Sequence, residues 1–317
     1  MTTAALPLYN HAVLTIMLLP LAVLLLPAAA YLYWRLRFGP PPAGSVPILA
    51  YHKVDQRFEL GGTRVTPAQF AAQMRWLKDA GFETVTLTRA VELLRTGGET
   101  GAKRFCLTFD DAYEGFVTHA WPELRRHGFT ATVFALTDYI GGENAWDINW
   151  PGLRFRHLDW DQLRRLAAAG IEIGSHGASH RDLRHLGDAE LEREVAGSKR
   201  ILEKELGMPV SMFCYPFGRY DRRVAAAVRD AGYVAAASLA PSRRNGDPDI
   251  FALRRCGVYL TDTVWDLRHK VNQGSPWFWA EDLFTRGVNF CAGGAALAQR
   301  MTPGGRRPRE TAGAESP

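Results

Sequence analysis

The sequence predicts an α/β fold, a closed or nearly closed (β/α) barrel preceded by one membrane-spanning helix. Three observations carry that reading. From Ser45 onward short β-rich runs alternate with amphipathic segments, which implies a parallel sheet. Gly81, Gly128, Gly170, Gly207 and Gly232 stand where the helices should stop. About eight strands fall within roughly 220 residues, the proportions of a barrel.

Residues 1–11 read as a short tail. Ala12 to Trp34 is apolar apart from Thr15, Pro20 and Pro27. As a helix it would span about 30–35 Å, enough for a bilayer core. Tyr31, Tyr33 and Trp34 would form an interfacial belt. Ala28-Ala29-Ala30 could serve a signal peptidase, but no Lys or Arg precedes the run, so a retained anchor is expected. Residues 35–45 form a spacer stiffened by Pro40-Pro41-Pro42. Arg35 and Arg37 follow the apolar run, and the positive-inside rule would leave the following domain in the cytoplasm.

The barrel is expected over 46–275. Its strand candidates are Pro47–Tyr51, Glu83–Leu87, Phe105–Phe109, Thr130–Leu136, Ile171–Gly174, Met212–Tyr215, Tyr233–Ser238 and Arg254–Tyr259. Helices are expected at Pro67–Ala80, Tyr113–His127, Asp161–Ala169, Ala189–Leu206 and Asp221–Ala231. Thr66 followed by Pro67 is a strong helix start. Over 276–302, Trp277-Phe278-Trp279, Leu283, Phe284, Val288, Phe290 and Leu297 suggest an amphipathic segment. It would lie on a membrane or pack on the barrel. The tail 303–317 has the composition of disorder.

The chain has 317 residues, 47% of them hydrophobic and 22% charged, ordinary for a protein with a sizeable core. A net charge of +5 without an aromatic-interleaved basic patch argues against nucleic acid as a partner. Cys106, Cys214, Cys256 and Cys291 show no disulfide spacing, which favours a reducing compartment.

Chemistry concentrates where strands end, the face on which barrel active sites are built. Thr108-Phe109-Asp110-Asp111 closes one strand, Ser175 to His180 closes another, and His52 follows the first. Asp111 could cap a helix near Tyr113. As neighbours on a strand, however, Asp110 and Asp111 would point to opposite sides, so one can bind a metal while the other faces a substrate. His176 and His180, four residues apart, would share one side of a turn. Two imidazoles and a carboxylate suit Zn²⁺, Fe²⁺, Co²⁺ or Ni²⁺, with positions left for water.

This combination resembles the polysaccharide deacetylase family, the NodB-like carbohydrate esterases. Thr108-Phe109-Asp110-Asp111 matches its first motif and His176-Gly177-Ala178-Ser179-His180 its second. Phe213-Cys214-Tyr215-Pro216-Phe217-Gly218 stands where the family has an aromatic-Pro-aromatic-Gly motif. The resemblance covers about Pro47 to Asn272. It implies a distorted, NodB-like (β/α) barrel and a metal-dependent hydrolase, with zinc the first choice, that removes acetyl groups from N-acetylated sugars. Asp110 would be the base, Asp111, His176 and His180 the metal ligands, and a backbone N–H near Phe217 an oxyanion donor.

Two departures follow. Cys214 stands where the family often has an Arg that holds the base, and no Leu-His segment lies near the carboxyl end. Ile48-Leu49-Ala50-Tyr51-His52 resembles the subgroup with an early Tyr-His that includes poly-N-acetylglucosamine deacetylases, which nominates His52 as the acid. Arg255 resembles an Arg of that subgroup and is the candidate partner of Asp110, with Arg219 its rival. Arg254 would then point away. Trp160, Trp265 and Asp266 suit either a sugar cleft or the fold, His185 a place near the site, and His157 and His269 no pattern.

The expected partners are an N-acetylated glycan, polymeric or lipid-linked, the membrane, and other polysaccharide-synthesis proteins. The expected location is the inner cell membrane, as a single-pass protein; family habit is often extracytoplasmic, against the cytoplasmic side that Arg35 and Arg37 suggest. The competing readings are a non-catalytic glycan-binding barrel and a non-haem iron enzyme with a two-His-one-Asp site.

Overall fold

The computed structural model describes residues 26–41, 45–59, 62–96, 103–144, 153–239 and 249–291. Most of the expected anchor (12–25), part of the spacer and the tails 1–11 and 303–317 lie outside them.

The strands are β1 (Ile48–Tyr51), β2 (Lys53–Val54), β3 (Arg64–Val65), β4 (Glu83–Thr84), β5 (Arg104–Phe109), β6 (Thr132–Ala135), β7 (Glu172–Ser175), β8 (Met212–Cys214), β9 (Ala235–Ser238), β10 (Leu253–Arg254) and β11 (Cys256–Gly257). The main sheet runs β10-β9-β8-β7-β6-β5-β1-β11, and every pairing in it is parallel. Its two outermost members are halves of one segment. Leu253 and Arg254 pair with Ala237 and Ser238, whereas Cys256 and Gly257 pair with Leu49 and Ala50. Arg255 lies between the halves, so Leu253–Gly257 bridges both ends of the sheet and draws it into a near-closed, distorted barrel of seven staves.

The expected β/α alternation is therefore present, with seven staves where eight strands were expected. The surplus is Glu83–Leu87. Only Glu83 and Thr84 pair, with the start of β5. The Thr86 side chain then accepts a hydrogen bond from the Arg89 N–H and caps a helix, Leu87–Arg95.

Helices pack their apolar faces on the barrel. In Pro67–Asp79, Thr66 and Gln69 form a reciprocal capping box, and Phe70, Met74 and Leu77 are buried in the core with Leu49 and Phe105. Fully burying one such side chain contributes about 1.5–3 kcal/mol. Trp160–Ala168 and Arg222–Asp230 begin at Asp159 and Asp221, whose side chains accept from N–H groups of the first turn. The expected helix Tyr113–His127 is present from about residue 115, and opens with a π-type turn, Phe116–Ala120, that runs straight into Trp121–His127. Asp111 does not cap it, for Gly115 is at the N-cap with no side-chain bond.

Residues 26–37 are helical, and Trp34 is only 4% exposed. Its indole N–H donates to Asp282 at 2.9 Å, and Arg254 donates to the Gly39 carbonyl at 2.9 Å. Trp34 is thus a domain contact rather than part of an interfacial belt, and the spacer is tied to the domain at Gly39. The helix Phe278–Cys291 carries Asp282 and buries Phe278 in the core, while Trp277, Phe284 and Phe290 are exposed. The described part of 276–302 therefore packs on the barrel. Among the described residues no helix is long and apolar enough to cross a membrane.

Candidate active site

The three motifs meet at the carboxyl ends of β5, β7 and β8. On β5, the Asp110 N–H donates to the Tyr51 carbonyl at 2.9 Å, so Asp110 still follows the ladder with β1. Asp111 does not: its φ is 68° and that of Ala112 is 50°. The two carboxylates diverge because the backbone turns left-handed after Asp110, and not by strand alternation. Among the described residues the non-glycine positive φ values fall at Asp111, Ala112, His180 and Phe217, all within or beside the motifs. Such backbone is unfavourable by about 1–2 kcal/mol per residue and persists where its surroundings over-determine it.

On β7, His176 continues the ladder through its N–H to Ala135 at 2.8 Å. Its Nδ1 lies 2.8 Å from the Cys214 carbonyl. A carbonyl only accepts, so Nδ1 carries the proton and Nε2 is left as a donor of electrons. The chain then leaves the strand through Gly177 (φ 86°) and returns at His180 (φ 57°). Glu194, 1% exposed, accepts from the N–H groups of Ala178 at 2.8 Å and Ser179 at 2.9 Å and from the Ser179 hydroxyl. A Cβ at Gly177 would come within 3.1 Å of the Glu194 carboxylate. The pair His176 and His180 is therefore brought together by a braced loop, rather than by a helical turn, with ring centroids 5.0 Å apart.

Asp111, His176 and His180 form one buried cluster of metal-ligand type. Asp111 Oδ1 lies 3.5 Å from His176 Nε2 and 3.6 Å from His180 Nε2. Ligands at about 2.1 Å on a tetrahedral centre are about 3.4 Å apart, so the spacing fits one ion. Burial pushes both imidazoles below their usual pKa, which keeps them neutral, as ligation requires. Asp110, His176 and Cys214 form a second close trio, but the buried Arg255 cation touches it and opposes a second cation there.

Asp110 is instead the partner of Arg255. Arg255 NH1 lies 2.7 Å from Oδ1 and NH2 2.8 Å from Oδ2, a bidentate pair. Asp110 is 2% and Arg255 1% exposed. Arg255 also donates to the Thr108 hydroxyl and the Cys214 sulfur, each at 3.0 Å. Burial alone would push the Asp110 pKa up; the Arg255 charge and hydrogen bonds outweigh it and hold the carboxyl well below the usual range. The small Cys214 side chain leaves room for this guanidinium to arrive from the last stave. Arg254 points outward, to Asp282 at 2.9 Å. The rival Arg219 lies near Asp182, at 3.8 Å, and takes no part.

His52 stands beside Asp110, with Nε2 3.7 Å from Oδ2, the oxygen that Arg255 NH2 also reaches. Burial pushes its pKa down to about 4, against the raising effect of Asp110. Phe217 has a left-handed backbone (φ 57°) and packs its ring edge-on against His180 at 4.5 Å. Trp160 packs against the core, Trp265 is half exposed, Asp266 caps a helix with Thr263, and His185 lies 3.8 Å from Asp182. Sequence reasoning missed Glu194 and His157. For Glu194 a signal existed: with Leu191, Val195 and Leu202 it lies on the inward face of its helix. His157, whose Nδ1 lies 2.6 Å from the Asp111 carbonyl, had none.

A parallel barrel thus carries a second, Arg-paired carboxylate, Asp110, beside an Asp-His-His cluster of metal-ligand type. Residues 97–236 match the polysaccharide deacetylase family model. YxkH of Bacillus subtilis (strain 168) is 30% identical over 213 residues, which are 67% of this chain and 71% of YxkH. The crystal structure of a polysaccharide deacetylase from Bacillus cereus superposes with a TM-score of 0.59 at 28% identity, covering 72% of this chain and 69% of that one. The poly-beta-1,6-N-acetyl-D-glucosamine N-deacetylase of Staphylococcus aureus (strain MSSA476) is 24% identical over 189 residues, 55% of this chain and 60% of that enzyme. The chain belongs to the polysaccharide deacetylase family.

Proposed function

We propose that this protein hydrolyses the N-acetyl group of an N-acetylated sugar in a polysaccharide or lipid-linked glycan, releasing acetate and leaving an amine. The observation that carries the reading is the division of labour in the Asp pair. Asp111 faces two imidazoles, while Asp110 is locked as an anion beside them.

A divalent cation held by Asp111, His176 and His180, with Zn²⁺ the first choice and Co²⁺, Ni²⁺ or Fe²⁺ also suited, would polarise the amide carbonyl and make water more acidic. Asp110 acts as the base and takes the proton of the attacking water on its carboxylate. His52 rests neutral, because burial holds its pKa near 4. To protonate the departing nitrogen it must first gain a proton, and Asp110 Oδ2, 3.7 Å from Nε2, is the group that has just taken one. Asp110 thus relays the water proton to His52, and His52 delivers it to the amine. Arg255 returns Asp110 to its anionic form, and the Phe217 N–H is the candidate oxyanion donor.

The test is acetate release from a β-1,6-linked N-acetylglucosamine oligomer by metal-loaded protein. Asp110→Asn should keep the fold and the metal and lose about 10²–10⁴-fold in rate. Full activity in that variant would overturn the role of Asp110. For location, we infer a membrane anchor from the apolar run that begins at Ala12 and stops short of Trp34, which is a domain contact. Fractionation that leaves the full chain soluble would refute it.

A further inference from the structure

His157 belongs to none of the three motifs and lies outside the helices and strands, yet it is 1% exposed. Its Nδ1 approaches the Asp111 carbonyl oxygen to 2.6 Å, and since that oxygen only accepts, Nδ1 bears the proton. Its ring stacks on Tyr113, with centroids 4.8 Å apart and planes at 27°. Around this contact the backbone of 156–158 is pinned to that of 112–114. Tyr113 and His157 form an antiparallel bridge. The Leu158 N–H donates to Ala112 and the Glu114 N–H to Arg156, both at 2.8 Å.

Two successive non-glycine residues with positive φ, Asp111 and Ala112, are disfavoured by the chirality of the chain. That turn takes the Asp111 carboxylate off the line of β5 and brings it to His176 and His180. Its geometry is expressed in the direction of the Asp111 carbonyl, and the His157 N–H holds that carbonyl.

We propose that His157 is a positioning residue: its Nδ1–H fixes the left-handed backbone of Asp111 and thereby sets the carboxylate among the metal ligands. This rests on the reading of Asp111 as a ligand. A purely structural histidine would act through its ring, by filling space against Tyr113. The two contacts can be separated. His157→Asn keeps an N–H donor near the position of Nδ1 and removes the ring. His157→Phe keeps the ring and removes the donor.

The experiment uses the full chain, stripped with a chelator and titrated with Zn²⁺ alone by calorimetry, with the melting temperature measured in parallel. His157→Phe should bind Zn²⁺ about 10–100-fold more weakly, the usual effect of losing a partner that orients a ligand, with little change in melting temperature. His157→Asn should melt lower yet bind Zn²⁺ as the wild type does. Wild-type affinity in His157→Phe, or affinity that falls with melting temperature in both variants, would overturn the proposal. Should His157→Phe not fold, His157→Leu replaces it: equal affinity in His157→Leu and His157→Asn overturns the proposal, and tighter binding by His157→Asn supports it. His176→Ala serves as control, for if it binds Zn²⁺ normally the metal site itself is misassigned, whatever His157 does.

Discussion

Replacing Arg255 by Met should leave Asp110 as a buried carboxylate without its counter-charge. The pair is joined by contacts of 2.7 and 2.8 Å between groups at most 2% exposed. Two unit charges about 3 Å apart at an effective dielectric constant of about 20 attract by about 5–6 kcal/mol, against which stands the cost of desolvating both. Removing one partner of such a pair typically costs about 3–5 kcal/mol, because the other charge is stranded. The double variant Asp110→Asn/Arg255→Met strands nothing. A double-mutant cycle should therefore give a coupling energy of about 2–3 kcal/mol, the upper part of the range for residues in one network. Urea unfolding in excess chelator measures it free of metal linkage, with constant m-values as the check on the unfolded state. The sign with pH follows from the lowered pKa of Asp110. Its contribution is complete above the unfolded carboxyl value of about 3.9 and is lost as pH falls below it. In Arg255→Met only burial remains as the leading influence, so the acid limb of kcat/KM should move to higher pH. A coupling below about 0.5 kcal/mol, or an acid limb that stays in place, would refute the clamp.

Three further outcomes are expected. His52→Ala should lose about 10²–10⁴-fold in kcat with its metal content unchanged; metal loss would make His52 a ligand. As the folded pKa of His52 is about 4, below the unfolded 6.5, the unfolded chain takes the proton first as pH falls. Its stabilisation is complete above 6.5 and withdrawn between 6.5 and 4, at most about 3 kcal/mol, so chelated wild type should lose more stability over that range than His52→Ala does. Chelation should abolish acetate release and added Zn²⁺ or Co²⁺ restore it, while Asp111→Ala should regain neither metal nor activity; recovery in Asp111→Ala would remove Asp111 from the ligand set. Cys214→Arg should lower the melting temperature sharply, because it forces a second cation beside Arg255, whose NH2 is 3.0 Å from Sγ. Cys214→Arg/Arg255→Cys should recover most of that loss, and no recovery would mean that the two positions do not exchange roles.

Much of this protein was legible because local chemistry and tertiary structure agree. The Thr66 cap and the glycine stop at Gly128, which has φ 68°, need no knowledge of the fold. The strand-end positions of Asp110, His176 and His52 follow from β/α alternation alone. What was not legible depends on partners distant in sequence. Val85 and Leu87 read as strand, yet the Leu87 N–H is taken by Glu172, 2.8 Å away, at the start of a helix. Trp34 read as membrane belt because its acceptor, Asp282, lies 248 positions later. The left-handed turns at Asp111, His180 and Phe217 leave no mark in composition, since nothing in a single residue announces a strained φ. Arg255 was placed by resemblance, and its two-toothed grip on Asp110 emerged only from the way the last stave is split.

That split stave ties the Arg255–Asp110 pair to the end of folding. Leu49 and Cys256, its pairing partners, are roughly 200 residues apart in sequence, so this closure carries a large loop entropy and belongs among the slow events. Until it forms, Arg255 is elsewhere and Asp110 lacks its bidentate partner. A chain still emerging from the ribosome, or one clipped before Leu253, would carry all three motifs without the Arg255–Asp110 pair. The Arg255–Asp110 pair would then mark completed closure of the barrel, joining the first motif to the last stave only in molecules that have finished folding.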